Sequence, residues 1–295
     1  MKGFLGLVLL AAIWGGSFLF MKVAAGVLGP AVLIEFRVLF GALTLATVAL
    51  ILKRNLNFWQ HKRHFLILGL FNSALPFMLF AYAVQTLDAS MLSILNSTAP
   101  FWGVMISAFW LKVPMQKSVW LGCVCGLAGV ITLVGLDSTV LNQGAWLPII
   151  ATLCATLSYA VASHYTKTAP KMTAFNHAHG NLWGAALLVL PFIWFMPVRE
   201  TPDSAVISAV IGLGIVCTGF AYILYFKLVE ELGAPSALSV TFLIPVFGIL
   251  WGHVFLQEQI GANTIFGSIL VLLGVSLVTG LQEKIFPPKE HSVVK

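Results

Sequence analysis

The chain has 295 residues, 59% hydrophobic and only 9% charged, with a mean hydropathy of +0.98. A soluble domain carries about 25% charged residues, so the composition excludes an ordinary water-soluble core and points to a bilayer as solvent. The formal net charge is +6, but the basic residues are spread over several loops without aromatic interleaving, which excludes a nucleic-acid surface.

Apolar runs of span length recur with short polar breaks. They predict ten spans at 3–21, 30–52, 65–85, 90–111, 118–136, 146–166, 175–197, 205–228, 235–256 and 263–281, followed by a polar tail at 282–295. The first span imitates a signal peptide, with Lys2 before an apolar run and Ala24-Ala25-Gly26 after it. The run is too long for a signal h-region and nine more spans follow, so it is expected to stay. Span 2 opens at Pro30 and contains Glu35 and Arg37, the only charges well inside a span. Ionised groups at that depth are costly and usually face a cavity or a partner. Being two apart on a helix, they diverge. Arg37 is therefore the candidate to hold a substrate carboxylate or to organise the bundle, and Glu35 the candidate for proton coupling. Span 4 carries Asn96, Ser97 and Thr98 just before Pro100, and span 9 carries Thr241 one turn before Pro245. Proline removes an amide donor and obstructs the preceding turn. Breaks at matching places are a pointer to a central transport site, so Pro100 and Pro245 are expected hinges, with Asn96, Thr98 and Thr241 beside a cavity.

In span 5, Gly122 and Gly126 stand four apart, which suits close helix packing within the chain or a dimer face. His177, His179 and Asn181 open span 7. Two histidines two apart diverge on a helix, so they read as polar residues near the inner interface and not as a metal site. Cys123, Cys125, Cys154 and Cys217 all fall inside spans and read as small packing residues. No metal or cofactor is expected.

The chain also repeats. At a shift of 145, Pro100 meets Pro245, and Gly103, Gly122, Gly129 and Gly135 meet Gly248, Gly267, Gly274 and Gly280. Identity over 87–135 is only 10 of 49, concentrated in backbone-shaping residues. Phe80-Ala81-Tyr82 recurs as Phe220-Ala221-Tyr222, and Trp14 aligns with Tyr159. These matched aromatics, with Ser17, are expected to line a cavity. Five spans per copy invert the second copy in the membrane. The expected fold is an all-α integral membrane protein of ten helices in two inverted five-helix repeats, 1–142 and 143–281. With the N-terminus inside, 13 of the 16 basic residues fall on the inner side, setting both termini in the cytoplasm.

The sequence resembles the EamA-type branch of the drug/metabolite transporter superfamily over nearly its whole length. The carrying residues are the Trp14–Lys22 segment, Pro30 followed by Arg37, and two Pro-to-Gly segments. The better copy holds Gly233-Ala234-Pro235, Pro245, Leu256-Gln257-Glu258, Gly267 and Gly274-Val275. In the poorer copy, Val113 replaces the acid that matches Glu258. The resemblance implies a cavity lined by spans 1–4 and 6–9, with spans 5 and 10 peripheral, and access alternating about spans 4 and 9. The expected function is a secondary transporter in a bacterial inner membrane, exporting a small metabolite such as an amino acid. It would act as a monomer or weak homodimer. A channel-like facilitator is the alternative. A membrane-embedded enzyme has no support, because neither G-x-S-x-G nor H-E-x-x-H occurs.

Overall fold

The computed structural model describes residues 2–54, 58–109, 112, 114–135, 144–170, 172–233, 237 and 239–280. Several sequence expectations lie outside these residues: the boundary at 142/143, Val113, Ala234-Pro235 and the tail 282–295.

Among the described residues all regular structure is helical. Seven helices are long and apolar enough to cross a membrane, which makes this a multi-pass membrane protein. The first of them, Gly3–Ile51, is 49 residues long. It would measure about 74 Å at 1.5 Å per residue, more than twice the hydrocarbon thickness. It is not straight. Gly29 has φ 72° and ψ 162°, a conformation only glycine adopts freely, and Pro30 follows it. Arg37 Nη1 lies 3.4 Å from Met21 Sδ. Sixteen residues of straight helix would hold them about 24 Å apart, so the chain folds back at Gly29. We label the arms α1 (2–28) and α2 (30–51). Then follow α3 (Trp59–Ala83), α4 (Ala89–Phe109), α5 (Lys117–Gly135), α6 (Trp146–Thr168), α7 (Ala174–Val189), α8 (Ser204–Leu232), α9 (Val240–Leu256) and α10 (Ala262–Thr279).

Helix ends are set by local chemistry. Thr173 and Asp203 cap α7 and α8 by accepting from the amides of Asn176 and Val206. Gly280 closes α10 in the left-handed region at φ 65°. Contacts between ends sort the loops into two groups. At the Gly29 end, Arg199 and Glu200 donate their amides to Val27 O, Lys22 Nζ donates to Leu87 O, and Arg199 donates to Gln85. At the Ile51 end, the Arg54 guanidinium sits 5.2 Å from the Phe175 ring centre, and His64 bonds to Tyr165 and His177.

α5 and α10 lie at the edge of the bundle. Each shows an exposed apolar stripe: Trp120, Val124, Leu127 and Ile131 on one, Ile265, Ile269 and Leu273 on the other. A three-to-four-residue spacing of exposed hydrophobics is the face a helix turns to lipid. Their opposite faces meet glycine on glycine. A Cβ at Gly122 would stand 2.7 Å from Gly274 O, and one at Gly274 would stand 2.6 Å from Gly122 O. Gly129 and Gly267 oppose one another in the same way, at 2.9 and 3.0 Å. Gly122 and Gly126 thus serve packing within the chain; Gly126 also receives the Phe101 ring.

Two segments depart from α-helix without a sequence signal. Leu70–Ala74 in α3 and Gly212–Phe220 in α8 are π-helical. Such widened turns free backbone groups and cluster at functional sites. Phe71 O accepts from Ser158 Oγ of α6, and Thr218 Oγ1 reaches Leu213 O.

Candidate functional site

A cavity of about 670 Å³ runs between the helices. From α1 come Trp14, Ser17, Phe18 and Met21; from α2, Arg37; from α3, Asn72, Phe77 and Phe80. The wall continues with Asn96, Ser97, Ala99, Pro100 and Gly103 of α4, Tyr159 and Ser163 of α6, and Cys217, Thr218, Tyr222 and Tyr225 of α8. Thr241, Phe242 and Ile244 of α9 complete it. The wall reaches Ser239 and Thr279 at the Ile51 end. Towards the Gly29 end it stops short of the contacts made by Lys22, Gln85, Arg199 and Glu258. α7 contributes no wall residue and α10 contributes Thr279, a departure from the expected set of lining helices. Thr279 does so because it is the last residue of its helix, at the cavity mouth.

Arg37 is the one charged residue on this wall among the described residues, and it is 6% exposed. Its guanidinium lies 3.7 Å from the Phe77 ring centre, Nε donates to Thr218 Oγ1 at 3.3 Å, and Nη1 faces Met21 Sδ. Among the described residues no carboxylate comes within ion-pair distance of it. A ring face, a hydroxyl and a thioether compensate a desolvated cation only partly. The site therefore presents unneutralised positive charge to whatever occupies the cavity. Gly214 and Gly41 let the backbones of α2 and α8 approach around it: a Cβ at Gly214 would lie 3.2 Å from Arg37 O, and one at Gly41 would meet Thr218. The sequence offered no signal for Thr218, Met21 or Phe77 as partners of Arg37, since they come from three other helices.

The remaining walls are aromatic. Trp14 and Tyr225 rings sit 5.6 Å apart, and Phe80 stacks on Tyr159 at 6.1 Å. Trp14 and Tyr159 both line the cavity, as do Asn96 and Thr241, which match at the same shift of 145.

Other expected residues lie elsewhere. Tyr82 is 40% exposed and off the wall, because α3 turns its Phe77–Phe80 face inward and Tyr82 outward. Thr98 is buried with its hydroxyl bonded to Leu95 O and Thr156 Oγ1, so it joins α4 to α6 instead of meeting the cavity. Glu35 is 6% exposed and off the wall, with Oε2 unpartnered. His179 and Asn181 are interior, not interfacial: Trp183 Nε1 donates to His179, and Asn181 donates to Ser73 Oγ. The two prolines differ. α4 is interrupted at Ser97–Thr98, where the bonds are of the tighter three-residue kind, and Pro100 then sits near the start of the resumed helix, on the cavity wall. Pro245 is buried inside an unbroken helix, so the expected opening of both helices is seen in α4 alone.

The geometry of a charged, aromatic-walled cavity inside a multi-pass bundle coincides with a family match. The sequence profile of the EamA-like transporter family matches residues 1–135 and again 144–280. The chain belongs to the EamA-like transporter family. Relatives of this family member include the uncharacterized transporter YoaV of Bacillus subtilis, 29% identical over 94% of this chain and 97% of that protein. An uncharacterized transporter of Archaeoglobus fulgidus is 26% identical over 94% and 99% of the two chains. Protein PecM of Dickeya dadantii is 26% identical over 84% and 85%. A crystal structure superposes with TM-score 0.66 at 18% identity, covering 97% of this chain and 99% of that one, which supports the helical fold alone. The protein is thus an EamA transporter of the drug/metabolite transporter superfamily.

Proposed function

We propose that the protein is a secondary transporter that exports a small organic metabolite by alternating access, with Arg37 holding an anionic group of the substrate. The observation that carries this reading is a buried cation on the wall of a cavity whose described residues offer it no carboxylate. The aromatic walls suit the apolar part of an amphipathic cargo, such as an amino acid or related acid. Trp14, Ser17, Asn96, Tyr159, Tyr222 and Thr241 are the proposed contacts.

Alternating access needs two halves that can exchange roles. Ten crossings arranged as two inverted five-helix repeats supply them. In support, the contact of Gly122 with Gly274 becomes that of Gly267 with Gly129 when each residue is replaced by its repeat mate. A contact that maps onto itself is isologous, as across a two-fold axis. Because α5 and α10 run antiparallel, that axis lies across the helices, in the membrane plane. Pro100, beside the α4 interruption, and Pro245 are the proposed hinges.

For sidedness, Lys53, Arg54, Lys62, Arg63, Lys117, Lys167 and Lys227 gather at the Ile51 end, against Lys22 and Arg199 at the other. On the positive-inside rule we assign the Ile51 end, and with it both termini, to the cytoplasmic side of what we propose is a bacterial inner membrane. The cavity then opens inward, as an exporter loading from the cytoplasm requires. With its glycine face occupied inside the chain, the protein acts as a monomer.

The test is counterflow in proteoliposomes across a panel of small organic acids and amino acids. Saturable counterflow that requires Arg37 is the expected result; linear, non-exchanging flux identifies a facilitator instead. Glu35 is the proposed proton carrier, since a buried carboxyl with an unpartnered oxygen is costly in hydrocarbon unless it serves a function. Glu35→Gln is expected to abolish pH-driven accumulation while leaving counterflow in place, and unchanged pH-driven flux would exclude Glu35 as the sole coupling site.

A further inference from the structure

The polar contacts that close the Gly29 end include one made by a carboxylate. After α9, Gln257 adopts the left-handed conformation at φ 58° and turns the chain back, so that Glu258 N donates to Gly252 O. This aims the Glu258 side chain at the first turn of α4. Glu258 Oε1 accepts from Ala89 N at 2.7 Å and Oε2 from Ser90 N at 3.0 Å. The carboxylate is buried, at 8% exposure for the residue, and its space exists because residue 252 is glycine: a Cβ there would stand 2.3 Å from Oε2. Two charge-assisted bonds to the positive end of a helix are a strong junction. The junction ties the end of α9, from one half of the chain, to the start of α4, from the other.

The repeat makes this junction informative. When inverted halves exchange conformations, a contact closing one end in one state has its counterpart at the other end in the other state. The counterpart of Glu258 is Val113, which has no carboxylate. The counterparts of Ala89 and Ser90 are Ala234 and Pro235, and proline has no N–H to donate. Val113, Ala234 and Pro235 lie outside the described residues, and only their identities enter here. The counterpart of Gly252 is Ser107, which carries the side chain that Gly252 lacks and whose hydroxyl bonds to His164. By identity, the acid, one donor and the glycine are each missing from the reciprocal set.

We propose that Glu258 is a gating latch that holds the extracellular end shut, and that its missing counterpart biases the empty transporter towards the inward-open state. The inference rests on the alternating-access reading above. Its consequence is directional: the carrier rests with its cavity open to the cytoplasm and opens outward only by giving up two charge-assisted bonds that the repeat-matched residues Val113, Ala234 and Pro235 lack the groups to replace. Substrate bound at Arg37 must supply that difference, which couples outward opening to loading.

The experiment measures the cytoplasmic mouth, far from the latch. Nitroxides are placed at the exposed positions Gln116 and Lys227 through a handle other than thiol, since Cys154 is itself exposed. Pulsed-dipolar distances are recorded in nanodiscs without substrate. Wild type is expected to give one long, mouth-open population. Glu258→Gln presents an amide N–H to a backbone N–H in place of an acceptor, and is expected to raise the ratio of mouth-closed to mouth-open protein about tenfold. Ser90→Pro writes the reciprocal sequence into the outer junction at a first-turn position where proline is tolerated. It is expected to shift the ratio in the same direction by about half that free energy, roughly threefold. The triple variant Ser107→Gly, Val113→Glu, Pro235→Ala installs the missing latch at the inner end and is also expected to close the mouth. Counterflow is run on every protein. Counterflow with unshifted distances in both Glu258→Gln and Ser90→Pro overturns the latch while the carrier reading stands. Absence of counterflow in wild type across the substrate panel overturns the carrier reading, and the latch with it.

Discussion

The seam between α5 and α10 and the cavity among the other helices are written in the same repeat but use it differently. At the seam the matched residues do matched work: Gly122 meets Gly274 as Gly267 meets Gly129. In the cavity the match is partial. Trp14 and Tyr159 both line the wall, yet Tyr222 does so while Tyr82 faces outward, and Pro100 does so while Pro245 is buried in an intact helix. Arg37 has Gly180 at its aligned position. The physical reason is that close backbone packing asks only for the absence of side chains, which two copies can share. Recognition of an asymmetric molecule asks for different groups on its different sides. The scaffold keeps the duplication and the site departs from it.

The comparison can be broken first at the seam. Gly122→Val and Gly274→Val each push a side chain into a facing carbonyl oxygen, at 2.7 and 2.6 Å from the new Cβ. Each is expected to cost about 3 kcal/mol or more, at or above the upper end for overpacking because backbone must part. Loss of a monodisperse detergent-solubilised peak in both would show it, and tolerance of either would mean that the two sides of the seam are not equivalent. Next comes the cavity charge. Arg37→Gln is expected to lower transport about 100-fold, since a charge-assisted contact is worth about 1.5–3 kcal/mol. Arg37→Lys keeps the charge without the planar fork over Phe77 and is expected to lose about tenfold. Initial-rate counterflow separates them.

A smaller effect tests the tyrosine pair. Tyr222→Phe is expected to slow transport severalfold through loss of one hydroxyl contact, about 1 kcal/mol, whereas Tyr82→Phe leaves the rate unchanged. Equal losses would restore the symmetric cavity that the sequence suggested. The smallest concerns stability. Pro245→Ala returns an amide donor to a continuous helix and is expected to raise the melting temperature by a few degrees, about 1 kcal/mol. Pro100→Ala acts near the start of a helical segment, where a missing N–H costs little, and is expected to stay within about 0.5 kcal/mol.

The π-helical stretches in α3 and α8 escaped the sequence because they follow no composition rule; Asn72 reaches the cavity from one and Thr218 from the other. Glu258 was visible in the sequence as an acid of the better Pro-to-Gly copy with no match at Val113, but without a partner. Its partners are the amides of Ala89 and Ser90, and backbone donors carry no signature in the side-chain sequence. His64 likewise stood apart until the fold set it between Tyr165 and His177. In contrast, the reversal at Gly29-Pro30 and the apolar faces of α5 and α10 follow from local residue type and helical period, and both are legible in the chain.

By itself the sequence determined the solvent, the helical class, the duplication and the placement of Arg37 inside a span. Hydropathy, glycine and proline spacing and the cost of a buried charge are local properties of the chain. Only the tertiary structure decided which member of each matched pair faces the cavity, what compensates Arg37, and that a carboxylate from one half closes a helix of the other. These depend on helix rotation and on contacts between residues as distant as Arg37 and Thr218, 181 positions apart, where small differences in packing choose between copies that the repeat alone makes look alike.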